Sequence, residues 1–301
     1  LRVGLIGCGR WGANIARDLR ALNVSLEIAD PITGAYASLH ALPPCDAYVV
    51  ATPTTDHPST IGALLPFGKP IFCEKPLAAA SSALVALPGA ARELVFVMDK
   101  WRYHPAIEEL GRLASTGALG AVYGVATRRL DVRHGHADVD CTWILLPHEL
   151  AIATEILGRA PVAQAATASF DHERIVALVS HLRAGDAYAV SSISTRWPVR
   201  VRSVEVAFAA GVATFGDDDE SAIVLTRVSS AAPTTIRVPF VAPLRRELEA
   251  FVAYAAGAGP PPKATFSDGL ETLRTIERLR ELAVKASAES PASTRATGRA
   301  R

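Results

Sequence analysis

Six residues constrain this chain more than any others: Gly7-Cys8-Gly9-Arg10-Trp11-Gly12, a G-x-G-x-x-G pattern set between an apolar run and an amphipathic one. Residues 1–6 (LRVGLI) read as a strand buried on both faces, and residues 13–21 place Ile15, Ala16 and Leu19 on one helical face. In that setting the first glycine permits a tight turn, the second lets the backbone approach a pyrophosphate, and the third lets helix and strand pack closely. A glycine turn without a ligand has the same spelling. The strand before it and the helix after it favour a dinucleotide site, with helix amides facing phosphate.

The rest of the first third repeats the pattern. Residues 24–29, 47–51, 71–73 and 94–98 read as strands and residues 60–65 as helix, which implies right-handed βαβ units and a doubly wound parallel sheet. After residue 118 the texture changes. Residues 121–130, 174–183, 187–196, 200–209 and 222–228 alternate or are β-branched, with a helical stretch at 148–157. That predicts a large, mostly antiparallel open sheet, one face covered and the other free to associate. Helices are expected over 243–256 and 267–286. The fold class is therefore α/β: a Rossmann domain over residues 1–118, then an α+β substrate-binding and oligomerisation domain over 119–286. The segment 287–301, rich in Ala, Ser, Thr and Arg without periodicity, is expected to be disordered.

Composition removes several classes of function. With 301 residues, half of them hydrophobic and a fifth charged, the chain can bury a substantial core. A net charge of +1 gives no electrostatic case for nucleic acid or an anionic membrane as partner. Cys8, Cys45, Cys73 and Cys141 are scattered, with no C-x-x-C pair and no histidine spacing, so neither a disulfide framework nor a metal site is expected. No apolar run reaches the ~20 residues of a membrane helix. The first residues read as a core strand rather than a signal peptide, so a cytoplasmic location is expected.

In an open parallel sheet, ligands gather beyond the carboxyl ends of the strands. Asp30 closes the second strand, 18 residues after Gly12, where it would accept hydrogen bonds from ribose hydroxyls and repel the 2′-phosphate of NADP. NAD is favoured on that ground. Two alternatives stay open: Asp30 as a turn-former before Pro31, and Arg10 as a contact to a 2′-phosphate, which keeps NADP possible. Lys75, just past the fourth strand, would stabilise alkoxide character on a substrate oxygen. Composition alone equally allows a surface lysine paired with a carboxylate.

Three further segments sit past strand ends: Ala51-Thr52-Pro53-Thr54-Thr55-Asp56-His57, Cys73-Glu74-Lys75-Pro76-Leu77 and Trp101-Arg102-Tyr103-His104-Pro105-Ala106. With the glycine loop they resemble the glucose–fructose oxidoreductase / inositol dehydrogenase / rhizopine catabolism (Gfo/Idh/MocA) family, as far as about Gly158. Glu-Lys-Pro is the most specific mark. The resemblance implies NAD(P)-dependent oxidation or reduction of a sugar, cyclitol or sugar-nucleotide carbon, and a homodimer or homotetramer built on the open sheet. It implies cofactor contacts from Gly7, Gly9, Arg10, Trp11, Gly12, Asp30, Thr52, Pro53, Thr54, His57, Glu74 and Lys75. Residues 138–149 resemble the family segment in which Trp-Asp-x-x-Pro-His-Asp opens a helix. His148 is thereby implied as general acid/base beside Lys75, with a pKa near neutrality, and Arg102 and Trp143 as substrate contacts beside both. Read alone, a histidine at a helix start is a cap or a packed polar group.

The chain departs from the family pattern twice. Ile144 stands where an acidic residue commonly precedes the histidine by four positions, and Asp140, Glu149 and His136 are the candidates to replace it. The stretch from Asp30 to Tyr48 is short where relatives carry a helix and a loop, which predicts a reduced adenine wall. Ile144 also opens a second reading, a non-catalytic NAD(P)-binding sensor or regulatory protein on the same fold.

Overall fold

The computed structural model describes residues 1–132, 138–216, 218–230 and 232–289. Five strands, β1 (Arg2–Ile6), β2 (Ser25–Ala29), β3 (Ala47–Val50), β4 (Ile71–Glu74) and β5 (Val95–Met98), pair in parallel in the order β2-β1-β3-β4-β5. Every residue of β3 and β5 is buried, because helices lie on both faces; this is why these strands read as continuous apolar runs. Helix α1 (Gly12–Ala21) buries Ile15, Ala16 and Leu19, as the periodicity predicts. Helix α2 (His57–Leu64) follows β3, and the short α3 (Ser81–Val85) and α4 (Ala91–Leu94) join β4 to β5. Between β2 and β3 there is no α-helix. A parallel bridge of Tyr36 to Ala29 and a 3₁₀ turn at Leu39–Ala41 are what remains of the wall beside β2.

The second sheet has eight strands in the order β13-β12-β11-β10-β6-β9-β8-β7. They are β6 (Val122–Leu130), β7 (Val162–Asp171), β8 (Arg174–Ala184), β9 (Ala187–Ser194), β10 (Val201–Phe208), β11 (Gly211–Gly216), β12 (Ala222–Arg227) and β13 (Thr234–Arg237). All neighbours are antiparallel except β6 and β9. The sequence reading missed β7, β11 and β13. The first is largely Ala, Ser and Thr with most side chains exposed, and the other two are short, so the apolar signal of all three is weak. The pairing register puts Val179, Tyr188, Val212 and Val224 on one face, where they are 38–48% exposed.

Helix α5 (Pro105–Thr116) starts at His104, whose ring nitrogen accepts from the Ala106 amide. Helix α6 (Cys141–Leu157) begins seven residues before the expected start at 148. Pro147 lies inside the helix, where it has no N–H to give to the carbonyl one turn earlier. The true start is capped by Asp140, which accepts from the Thr142 amide at 3.0 Å. Helix α7 (Pro243–Ala255) returns to the first sheet, where Leu244, Leu248 and Phe251 join Val3, Leu5 and Phe72 in one core; the Phe72 and Phe251 rings stack at 4.7 Å. Helix α8 (Phe266–Glu289) packs on β5 and β7. It carries residues 287–289 of the expected tail as helix; residues 290–301 lie outside the described residues. Among the described residues all four cysteines are free, and no helix is long and apolar enough to cross a membrane.

Candidate cofactor and substrate site

The three glycines of the loop have separable roles. Gly7 has φ +88°, and a Cβ there would lie 2.7 Å from the Ala51 carbonyl oxygen. A Cβ on Gly12 would lie 2.4 Å from the Gly7 carbonyl oxygen. These two glycines let backbone meet backbone. A Cβ on Gly9 would meet nothing within 4 Å, so this position faces open space at the head of α1. That is the cradle a pyrophosphate needs, and it fits a dinucleotide.

Asp30 braces this loop. Its Oδ2 accepts from the Cys8 amide at 2.8 Å, and its Oδ1 accepts from the Ile32 and Thr33 amides at 2.9 and 2.8 Å. Those backbone bonds, Cys8 first, bring its pKa down to about 2. The turn-forming role left open by the sequence is therefore present, and it holds a fixed negative charge at the end of β2. Arg10 and Trp11 are exposed. The Trp11 indole donates to Glu74, and Lys100 Nζ lies 4.6 Å from the ring centroid, so Trp11 spans the ends of β4 and β5.

Thr52, Pro53 and Thr54 form the turn after β3, and the buried Thr52 hydroxyl oxygen has no partner. His57, expected at the cofactor, has backbone partners on both ring nitrogens. It is 1% exposed, with Nδ1 2.8 Å from the Pro76 carbonyl and Nε2 2.9 Å from the Thr52 carbonyl. It ties the turn after β3 to the turn after β4.

Lys75 reaches from the end of β4 to α6, where Nζ donates to the Ile144 carbonyl at 3.1 Å, one helical turn before His148. Burial brings the Lys75 pKa down to about 8, with Glu74 pulling the other way. His148 differs from the expected neutral pKa. Burial first, then Lys75, Arg129, Lys100 and Arg202, push it well below the usual histidine value, so the imidazole is neutral at pH 7. Its Nδ1 is sealed without a partner, while Lys75 and His148 both keep part of their surface open.

Two of the three candidates to replace the acid at 144 have other partners. Asp140 caps α6 and pairs with Arg280 at 2.6 Å, and Glu149 pairs with Arg129. His136 lies outside the described residues. Two residues expected as substrate contacts have partners within the protein. Arg102 Nε is bonded to Glu155 at 3.2 Å, in a network with Lys263, Glu108 and Arg246 that joins α5, α6 and α7. Trp143 is 7% exposed in the core, with the Arg280 guanidinium 5.6 Å from its ring centre.

The structure adds charged groups that the sequence reading overlooked. Asp99 and Lys100 follow β5, Arg129 ends β6 with its guanidinium 4.8 Å from the Trp101 ring centre, and Glu247 of α7 is 1% exposed. Burial pushes the Asp99 carboxyl up to about 7 and that of Glu247 well above its usual value. Asp99 and Lys100, the two charged residues directly past Met98 at the end of β5, were the available signal for the turn at 100–103. Among the described residues, no group of three His, Cys, Asp or Glu side chains is placed to hold a metal.

Residues 20–97 match a family described as "Oxidoreductase family, NAD-binding Rossmann fold". An inositol 2-dehydrogenase of Rhizobium meliloti (strain 1021) is 28% identical over 197 residues, 56% of this chain and 58% of that protein. Another, inositol 2-dehydrogenase 4 of Saccharopolyspora erythraea, is 33% identical over 143 residues, 40% of this chain and 42% of that one. The chain thus matches about half the length of these curated relatives. Among solved structures, a UDP-N-acetylglucosamine 3-dehydrogenase from Acidithiobacillus ferrooxidans superposes with a TM-score of 0.80 at 20% identity, over 95% of this chain and 98% of that one. A levoglucosan dehydrogenase in complex with NADH and levoglucosan gives 0.80 at 18% identity, over 95% and 97%. These two likenesses are likenesses of fold.

Proposed function

We propose, since residues 20–97 match this NAD-binding oxidoreductase family, that the chain moves a hydride between NAD(P) and the hydroxyl-bearing carbon of a sugar, cyclitol or sugar nucleotide. The observation that carries the reading is the bond from Lys75 to the Ile144 carbonyl. It supports the reading by tying the end of β4 to the helix turn that precedes His148, so that the two side chains would act on one substrate oxygen. Gly9 and the head of α1 would hold the pyrophosphate, Asp30 would favour the unphosphorylated ribose of NAD, and Trp11 with Glu74 would border the far half of the cofactor.

NAD, when bound, would supply the hydride acceptor. The chain's own residues handle the oxygen. His148, neutral at pH 7, accepts the hydroxyl proton as the C=O bond forms. Lys75 supplies positive charge where alkoxide character develops, and a pKa of about 8 leaves it mostly charged at neutral pH. In the reverse direction the same proton returns from His148.

The test is a titration of NAD and NADP by calorimetry, followed by an absorbance screen of cyclitols, free sugars and sugar nucleotides at 340 nm. Turnover of one class supports the reading; tight NAD binding with no turnover across all three supports a sensor. The open face that carries Val179, Tyr188, Val212 and Val224 supports association into a homodimer or homotetramer. Light scattering at micromolar concentration should give a multiple of the 31.8 kDa chain, and a monomer would refute it.

A further inference from the structure

We propose that Asp99 positions the Lys75 side chain through one water held in a small cavity the two residues share. The sheet itself sets up the pair. β4 and β5 run parallel with Glu74 opposite Met98, so Lys75 and Asp99 are the next residues to leave these neighbouring strands. Both line a cavity of about 20 Å³ closed by Pro147 of α6 and by Asp268, Gly269 and Thr272 of α8. That volume holds about one water. Helix α8 comes this close because residue 269 has no side chain; a Cβ there would lie 2.6 Å from Leu77.

Asp99 Oδ1 is buried without a hydrogen-bond partner. A buried carboxyl oxygen left so is costly, and a water bridging it to a neighbouring ammonium removes the cost. The other acid in the cavity is already engaged, since Asp268 Oδ2 accepts from the Thr265 amide and hydroxyl at 2.7 and 2.6 Å. Burial raises Asp99 to about 7 while Arg102 and Lys75 draw it down, and Lys75 itself lies near 8, so the two exchange charge over the same pH range. The groups that face the pair are Glu74 from β4, Lys100 and Arg102 from the turn after β5, and Arg129 from β6. His148 from α6, Glu247 from α7 and Asp268 from α8 complete the set. Asp99 is thus a positioning residue: it acts on the substrate through Lys75.

The inference rests on Lys75 being the group at the substrate oxygen, yet its test needs no substrate. The chain has five lysines. In protein labelled with [¹³C]lysine, the Cε resonance of Lys75, assigned by its loss in Lys75→Arg, is followed against pH in the unaltered chain, in Asp99→Asn and in Asp99→Ser. A facing carboxylate favours the ammonium, so both variants should lower the Lys75 midpoint by about 0.5 pH unit or more. A midpoint unchanged in folded Asp99→Asn and Asp99→Ser overturns the proposal, whatever happens to their melting temperatures. If the midpoint moves and no cyclitol, sugar or sugar nucleotide is turned over, Asp99 keeps its role and the oxidoreductase reading fails instead.

Discussion

Gly9→Val and Gly12→Ala make a matched pair, because the two positions lie three residues apart in one loop and meet opposite surroundings. A side chain at 9 touches no protein atom within 4 Å of its Cβ, and the backbone there is not in the left-handed region, so Gly9→Val should leave the fold unchanged. The same side chain fills the space of the pyrophosphate, and NAD affinity should fall by at least 100-fold, about 2.7 kcal/mol. At 12, the added Cβ meets the Gly7 carbonyl oxygen at 2.4 Å, a backbone atom that cannot swing aside. Strained insertions of this size cost about 1–3 kcal/mol. For a chain of this size that is roughly 2–10 °C in melting temperature. The assay is differential scanning calorimetry with and without NAD, paired with isothermal titration. Gly9→Val should melt with the unaltered apoprotein and show no stabilisation by NAD, while Gly12→Ala should melt lower in the absence of any ligand. If Gly9→Val binds NAD normally, or if it melts as low as Gly12→Ala, the division of labour among these glycines is wrong.

Asp30→Asn removes a carboxylate that closes the loop and repels phosphate, so NAD affinity should weaken about tenfold and the preference for NAD over NADP should narrow; titration of both cofactors reads it. Glu247 titrates well above its unfolded value, so the fold favours its protonated form, and the resulting penalty is absent below about pH 4.5 and grows as pH rises. Glu247→Gln should therefore raise the melting temperature at pH 8 and leave it nearly unchanged at pH 4.5; an equal effect at both would show the carboxyl is ionised in the fold. Lys75→Ala should lower turnover by about 100-fold or more with little change in NAD affinity, and His148→Asn by about 10²–10⁴-fold, both read by stopped-flow and steady-state kinetics.

What the sequence made legible follows from the range of the interactions involved. The glycine loop, β1 and α1 are specified within about twenty residues by turn geometry and periodicity, and they stand where the sequence reading placed them. The partners of His57, Arg102 and Trp143 were not legible because they are distant in the chain or on the backbone. His57 answers to the Pro76 carbonyl, Arg102 to Glu155, and Trp143 to Arg280. Nothing in their own neighbourhoods announces those partners. Asp99 escaped notice for the same reason, since its neighbour Lys75 lies on a different strand and the cavity between them is closed by α8.

Ile144 shows the limit from the other side. Read as a side chain, it is the loss of an acid, and it weakened the case for catalysis. In the fold its side chain is 8% exposed in the core, and the group that meets Lys75 is its backbone carbonyl. Pro147 leaves the Trp143 carbonyl without the amide it would ordinarily receive, so this turn of α6 already departs from regular bonding. A carbonyl acceptor is supplied by any residue at 144, which frees the side chain there to pack. The anchoring of Lys75 thus survives the replacement, whereas a contact from that side chain to a substrate hydroxyl does not. The missing acid therefore bears on which substrate is held more than on whether Lys75 is held. Ile144→Asp separates the two: it should alter the KM for a sugar more than kcat, and a collapse of kcat with unchanged KM would place the acid's role in the chemistry after all.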